Sequence, residues 1–198
     1  MIHPIGCTCG RLKGTLEQSR SVNRGRCYCA DCQAFARYLK RDAQILDPQG
    51  GTDVVQVLPK NLRFTQGLEH LACMRLSPKG LLRWYAACCN TPIGNTPANF
   101  KLSFAGLIHS CLASGPQTLD QAFGPIRMQG YTEAALGQPK PKSFGLPSAI
   151  LRIAAMLLKA RLYGSYRHTP FFDPASGAPM VTPKVLSLEE REALKHGR

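Results

Sequence analysis

The chain has 198 residues, 44% of them hydrophobic, and a mean hydropathy of −0.15. That is enough apolar material for a globular core, and no stretch reaches the roughly 18 uncharged apolar residues of a membrane span. A formal net charge of +13 favours anionic partners such as glutathione-like peptides, phosphates, nucleic acid or acidic lipid, and equally fits a solvated basic surface.

Met1 to Gly6 carries neither the basic n-region nor the apolar h-region of a secretory signal, so a cytoplasmic protein with reduced thiols is expected. The cysteines number nine, and an odd count does not suit a fully paired disulfide framework. They cluster. Cys7-Thr8-Cys9-Gly10 opens the chain, Cys27-Tyr28-Cys29-Ala30-Asp31-Cys32 follows, and Cys88-Cys89 comes later. Zn²⁺ takes cysteine sulfur readily, and C-x-C and C-x-x-C spacings let a short turn aim neighbouring sulfurs at one tetrahedral centre. Three sulfurs from one segment leave a fourth position open, the arrangement of a catalytic zinc.

Residues 1–125 read as a β-rich, zinc-binding domain and 126–198 as a C-terminal extension. A helix is expected over Asp31–Leu39, placing Cys32 in its first turn, where the positive helix end favours a thiolate. Short strands are expected at Val54–Leu58, Leu62–Phe64, Leu71–Leu76, Leu81–Tyr85 and Lys101–Leu107, separated by turn signals such as Gln49-Gly50-Gly51 and Ser77-Pro78-Lys79-Gly80. Cys73 and Cys111 stand in apolar contexts and read as buried free cysteines, while His70 and His109 read as structural or surface residues. Trp84 and Tyr85 are expected to pack in the core.

Gly137-Gln138-Pro139-Lys140-Pro141-Lys142 reads as a linker or extended segment. Beyond it, Pro147–Tyr163 patterns as an amphipathic helix with Ile150, Ile153, Ala154, Leu157 and Leu158 on the docking face. Pro170, Pro174, Pro179 and Pro183 interrupt the following stretch. A last short helix begins at Ser187, where Ser187 and Glu190 form a capping box, and Gly197 is placed to end it.

Together the Cys7-Thr8-Cys9-Gly10 block, the Cys27/Cys29/Cys32 triplet and Trp84-Tyr85-Ala86-Ala87-Cys88-Cys89-Asn90-Thr91-Pro92-Ile93 resemble the glutathione-dependent formaldehyde-activating enzyme family, also called the centromere protein V family. Its blocks run C-x-C-G, C-H-C-x-x-C and aromatic-C-x-x-C-G-[ST]-P, and the resemblance covers roughly residues 5–110. It implies a mainly β fold, a β-tent of small antiparallel sheets, here with a helical C-terminal extension. It also implies a structural zinc on Cys7, Cys9 and Cys89 and a second, catalytic zinc on Cys27, Cys29 and Cys32, so one or two ions in all. Ala86 stands where the third block has its first cysteine, Asn90 replaces its glycine, and Tyr28 replaces the triplet histidine. The fourth structural ligand is then Cys88, or a water, or the site is lost.

Two functions follow as expectations. One is a zinc-dependent carbon–sulfur lyase resembling S-(hydroxymethyl)glutathione synthase, acting on an adduct of an aldehyde with glutathione or a similar thiol. Arg24, Arg26 and Arg37 flank the triplet and would receive that substrate's carboxylates. The other is a non-catalytic, zinc-stabilised binding module for an anionic partner.

Overall fold

The computed structural model describes residues 2–17, 23–113, 115 and 117–195. The chain is mainly β. β1 (Ile2–Gly6), β2 (Lys13–Glu17), β3 (Asn23–Cys27), β4 (Thr52–Val57) and β5 (Leu62–Gln66) precede β6 (Leu71–Arg75), β7 (Leu82–Ala86), β8 (Thr91–Thr96) and β9 (Ala105–Ile108). β10 (Met128–Gly130) and β11 (Lys184–Val185) come last. The helices are α1 (Ala30–Tyr38), α2 (Asp42–Ile45), α3 (Leu119–Phe123), α4 (Leu146–Leu162) and α5 (Leu188–Lys195).

Two sheets form. One has three strands in the order β1-β2-β5, and the other has eight in the order β10-β3-β4-β9-β8-β7-β6-β11. The inner pairings are antiparallel, but β10 joins β3 and β11 joins β6 in parallel, so the larger sheet is mixed and the C-terminal segment supplies both its edges. Side chains alternate across a strand, and the sheet uses both faces. Val55, Val57, Cys73, Trp84 and Leu107 face the main core together with Ile5, Leu12, Leu16 and Leu62. Met74 and Ile108 pack on the other side against Ala34, Phe35 and Leu39 in and beside α1. Trp84 is fully buried, donates to Thr96 Oγ1 at 2.9 Å, and stacks at 4.9 Å on Phe171, a residue of the C-terminal segment. Cys73 and Cys111 are buried, as expected of free cysteines in apolar surroundings.

The expected strands over 54–58, 62–64, 71–76 and 81–85 form within a residue or two of those bounds. The expected strand at Lys101 starts only at Ala105, because Asn99 Oδ1 accepts from Lys101 N and Asn99 O from Leu102 N, closing a turn there. β8, Thr91-Pro92-Ile93-Gly94-Asn95-Thr96, has all six residues buried despite weak strand propensity. Its proline is tolerated because β9 pairs only from Gly94 onward and a register shift on β7 lies between Trp84 and Tyr85, opposite it.

α4 docks through Ala149, Met156 and Ala160, not through the broader face expected from its pattern; Ile150 and Leu158 stay 62% and 61% exposed. Two alanines let the helix backbone approach closely, and Asn23 Nδ2 on β3 donates to the Ala149 carbonyl at 3.2 Å. α5 opens on the expected capping box: Ser187 N donates to Glu190 Oε2 at 2.8 Å and Glu190 N to Ser187 Oγ at 3.1 Å. Gly197 lies outside the described residues. No helix among the described residues is long and apolar enough to cross a membrane.

Candidate functional site

All nine cysteines are free, and seven of them gather into two clusters that could hold a metal ion. The first joins Cys7, Cys9, Cys88 and Cys89, whose sulfurs all lie within 4.8 Å of one another. Local chain geometry builds it. After β1 the backbone turns back on itself, with Cys7 N donating to Leu12 O and Gly10 N to Cys7 O, both at 3.0 Å. Gly10 sits at φ +74°, a left-handed position that glycine adopts without a Cβ clash. Leu12 N points at the Cys7 sulfur at 3.2 Å, a backbone donor suited to a thiolate. Opposite, β7 ends at Ala86 and a tight turn presents Cys88 and Cys89 before β8, with Asn90 at φ +56°. Asparagine is among the few residues that tolerate this conformation, and so it serves where the resembling family has glycine.

Cys88 therefore belongs to the cluster, with its sulfur 3.4 Å from that of Cys9 and 3.7 Å from that of Cys7. The Thr8 and Thr91 hydroxyls reach the Cys89 sulfur at 3.6 and 3.1 Å. Burial alone would raise the Cys89 thiol, but these hydroxyls and Cys9 bring it down to about 5, while burial and the neighbouring thiols push Cys88 up. Arg41 closes the outer side by donating to the Cys89 carbonyl at 2.7 Å.

The second cluster holds Cys27, Cys29 and Cys32. Cys27 ends β3, and Cys29 caps α1 with its sulfur accepting from Cys32 N at 3.3 Å. Cys32 follows in the first helical turn, 3.6 Å from the Cys27 sulfur. Hydrogen bonds from Cys27 and Cys29 and the charge of Arg83 hold the Cys32 thiol well below its ordinary range; the same sulfur contacts push Cys27 up. Tyr28 points away from the cluster. It is buried, and its hydroxyl donates to Asp47 Oδ2 at 3.2 Å.

The three arginines expected to serve the triplet are engaged elsewhere. Arg24 is buried and bridges Asp53, at 2.7 Å, to Asp120. Arg26 faces Asp47 at 3.4 Å. Strand alternation explains both, because Gly25 and Cys27 take the opposite face of β3. Arg37 donates to the carbonyls of Leu194 and Lys195 at 2.9 and 3.3 Å, where the end of α5 attracts a cation. The arginine that reaches the triplet is Arg83 of β7. Only the sheet register, which places it on the same face as Asn95, Gln56 and Gly25, reveals this.

The triplet opens onto a cavity of about 690 Å³ between this sheet face and α4. Val54, Phe104, Met128, Leu146, Ala149 and Ile153 line its apolar part, and Arg83, Tyr131 and Glu133 share it with the cysteines. Tyr131 follows β10 at φ +59°, a conformation unusual for a bulky side chain. Burial and the nearby thiols raise its hydroxyl above the ordinary range, so it stays protonated at neutral pH. No sequence pattern marked Arg83, Tyr131 or Glu133.

No curated protein matches the chain. Among solved structures, a crystal structure of a Rhodobacter sphaeroides protein is similar over 62% of this chain and 96% of its own, at 17% identity and a TM-score of 0.42. A family pattern covers residues 1–182, and the chain belongs to that family, described as a family of unknown function, DUF6151.

Proposed function

We propose that the protein is a zinc-dependent enzyme that makes or breaks a thiol–aldehyde adduct, a diverged relative of the glutathione-dependent formaldehyde-activating enzymes. The observation that carries this reading is a cluster of three sulfurs, one short of a closed site, facing a cavity large enough for a substrate. The residues fit zinc. Sulfurs about 2.3 Å from a tetrahedral ion stand about 3.8 Å apart; within each cluster all sulfurs lie within 4.8 Å of one another, and four pairs of the first cluster and the Cys27–Cys32 pair of the second stand at 3.4 to 3.9 Å. Cys7, Cys9, Cys88 and Cys89 would hold a closed structural ion, and Cys27, Cys29 and Cys32 an open one.

Bound at the triplet, zinc supplies Lewis-acid character toward a carbonyl oxygen or a thiol sulfur. The chain's own groups do the rest. Arg83 holds positive charge against the thiolates. In adduct formation the thiol sulfur bonds the carbonyl carbon and the thiol proton ends on the former carbonyl oxygen. Tyr131 and Glu133, at the same cavity, are the groups placed to relay that proton.

Metal analysis of purified protein tests the first half: two equivalents of zinc are expected, falling to about one when Cys27, Cys29 and Cys32 are all replaced by Ser. Glutathione with formaldehyde, followed by NMR, tests the second half, with faster adduct exchange expected in the presence of wild-type protein only. Unchanged zinc in the triple variant sinks the metal assignment. Unchanged exchange leaves the second reading, a zinc-stabilised binding module for an anionic partner. That reading is favoured by the groove that gathers Lys60, Arg63, Arg167 and His168.

A further inference from the structure

The cavity beside the triplet is too apolar and too long for a one-carbon unit. Its floor is the sheet face carrying Gly25, Val54, Gln56, Asn95 and Gly106, and α4 walls it with Leu146, Ala149 and Ile153. Register aligns Asn23, Gln56, Gly106, Asn95 and Arg83 as one row across five strands. The row's polar ends are satisfied internally: Asn23 binds the Ala149 carbonyl and Arg152, and Asn95 Oδ1 accepts from Arg83 at 3.2 Å. Gly106 at its centre adds no side chain.

Gln56 is the exception. It is only 6% exposed, it lines the cavity, and its Oε1 meets no partner among the described residues. A buried acceptor without a donor costs about 1–3 kcal/mol; this one is itself closed to solvent, and a turn of the Gln56 side chain toward the cavity would let a ligand supply the donor. Gln56 lies four residues, roughly 13 Å, along β4 from Thr52, the partner of Cys27.

We propose that this cavity binds a ligand with an extended apolar body, whose sulfur or carbonyl head sits at the triplet and whose hydroxyl or amide N–H meets Gln56 Oε1. The inference rests on the reading of the triplet as a metal centre only for the placement of the head; the apolar pocket and the Gln56 contact stand on the cavity itself. The substrate class becomes an aliphatic or aryl thiol, or its aldehyde adduct, carrying a polar group along its body.

The test titrates cobalt-loaded protein with ethanethiol, butanethiol and hexanethiol, reading thiolate-to-metal absorption. Affinity should rise about fourfold per methylene as chain enters the pocket. 6-Mercaptohexanol should lose most of its advantage over hexanethiol in the Gln56→Leu variant. Ile153→Trp, which fills the cavity from α4, should flatten the series while leaving the ligand-free cobalt spectrum unchanged. A cobalt response that is equal for all three thiols overturns the pocket and leaves the metal reading intact. In parallel, 1-hexanol is added while the methyl resonances of Ile150, Ile153 and Met128 are followed. Shifts there without any cobalt response to thiols uphold the pocket and retire the placement of a thiol head at the triplet. Silence in both measurements overturns the proposal.

Discussion

The sulfurs of Cys9 and Cys88 lie 3.4 Å apart although 79 residues separate them in the chain. This contact joins the turn after β1 to the turn between β7 and β8, and so ties the N-terminus to the centre of the eight-stranded sheet. A metal at this cluster is a cross-link whose binding free energy is folding free energy. Cys88→Ser removes one of four ligands and should lower the melting temperature by about 10 °C or more, taking a loss of several kcal/mol at about 2–4 °C each. Cys9→Ser should behave alike. Differential scanning calorimetry with metal analysis checks both; wild-type stability and metal content in Cys88→Ser would remove Cys88 from the ligand set.

Arg83 is 3% exposed and stacks over the Phe35 ring at 5.4 Å, so its charge is held in place beside the triplet. It would act on a metal bound there through Cys32, as an outer partner that stabilises the thiolate. Arg83→Met should keep the apolar stem's packing, raise the Cys32 thiol and lower metal affinity at the triplet by about 10–100-fold. Chelator competition on the cobalt form measures this. Affinity equal to wild type would show that the guanidinium serves only Asn95 and Asp31, its other partners.

Gln56 predicts a trade between stability and binding. Replacing it with Leu removes an orphaned buried acceptor at similar volume, so the ligand-free fold should gain about 1 kcal/mol in urea denaturation. A loss of the same size would mean that the amide is satisfied internally and has no role toward a ligand.

Phe171 belongs to the C-terminal segment yet is fully buried, 4.9 Å from the Trp84 ring and 5.9 Å from that of Phe64. Phe171→Ala should cost about 3–5 kcal/mol, the size expected for emptying an aromatic site in a packed core. Equilibrium unfolding measures it, and a cost under about 1 kcal/mol would show that the segment is only loosely applied to the sheets.

Local chemistry made a good part of the molecule legible in the amino-acid sequence alone. Cysteine spacing marked the Cys27/Cys29/Cys32 triplet, since C-x-C and C-x-x-C turns aim sulfurs together whatever the fold around them, whereas the meeting of Cys7 and Cys9 with the Cys88-Cys89 pair was expected only from the family resemblance. Alternating apolar residues marked β4 to β7, and Ser187 with Glu190 marked the start of α5, because each is a signal carried within a few residues. β1, β2, β3 and β8 escaped notice, being rich in glycine, proline or charge, and they are strands because neighbouring strands satisfy their backbones. The arginines failed for a related reason. Nearness in sequence says nothing about which face of β3 a side chain takes, so Arg24 and Arg26 point away from Cys27 while Arg83, far along the chain, points toward the triplet. Cys88 in the four-sulfur cluster, the cavity under α4 and the orphaned amide of Gln56 all arise from register between distant strands. Only tertiary structure decides register, because it is the sum of many long-range pairings and not a property of any one segment.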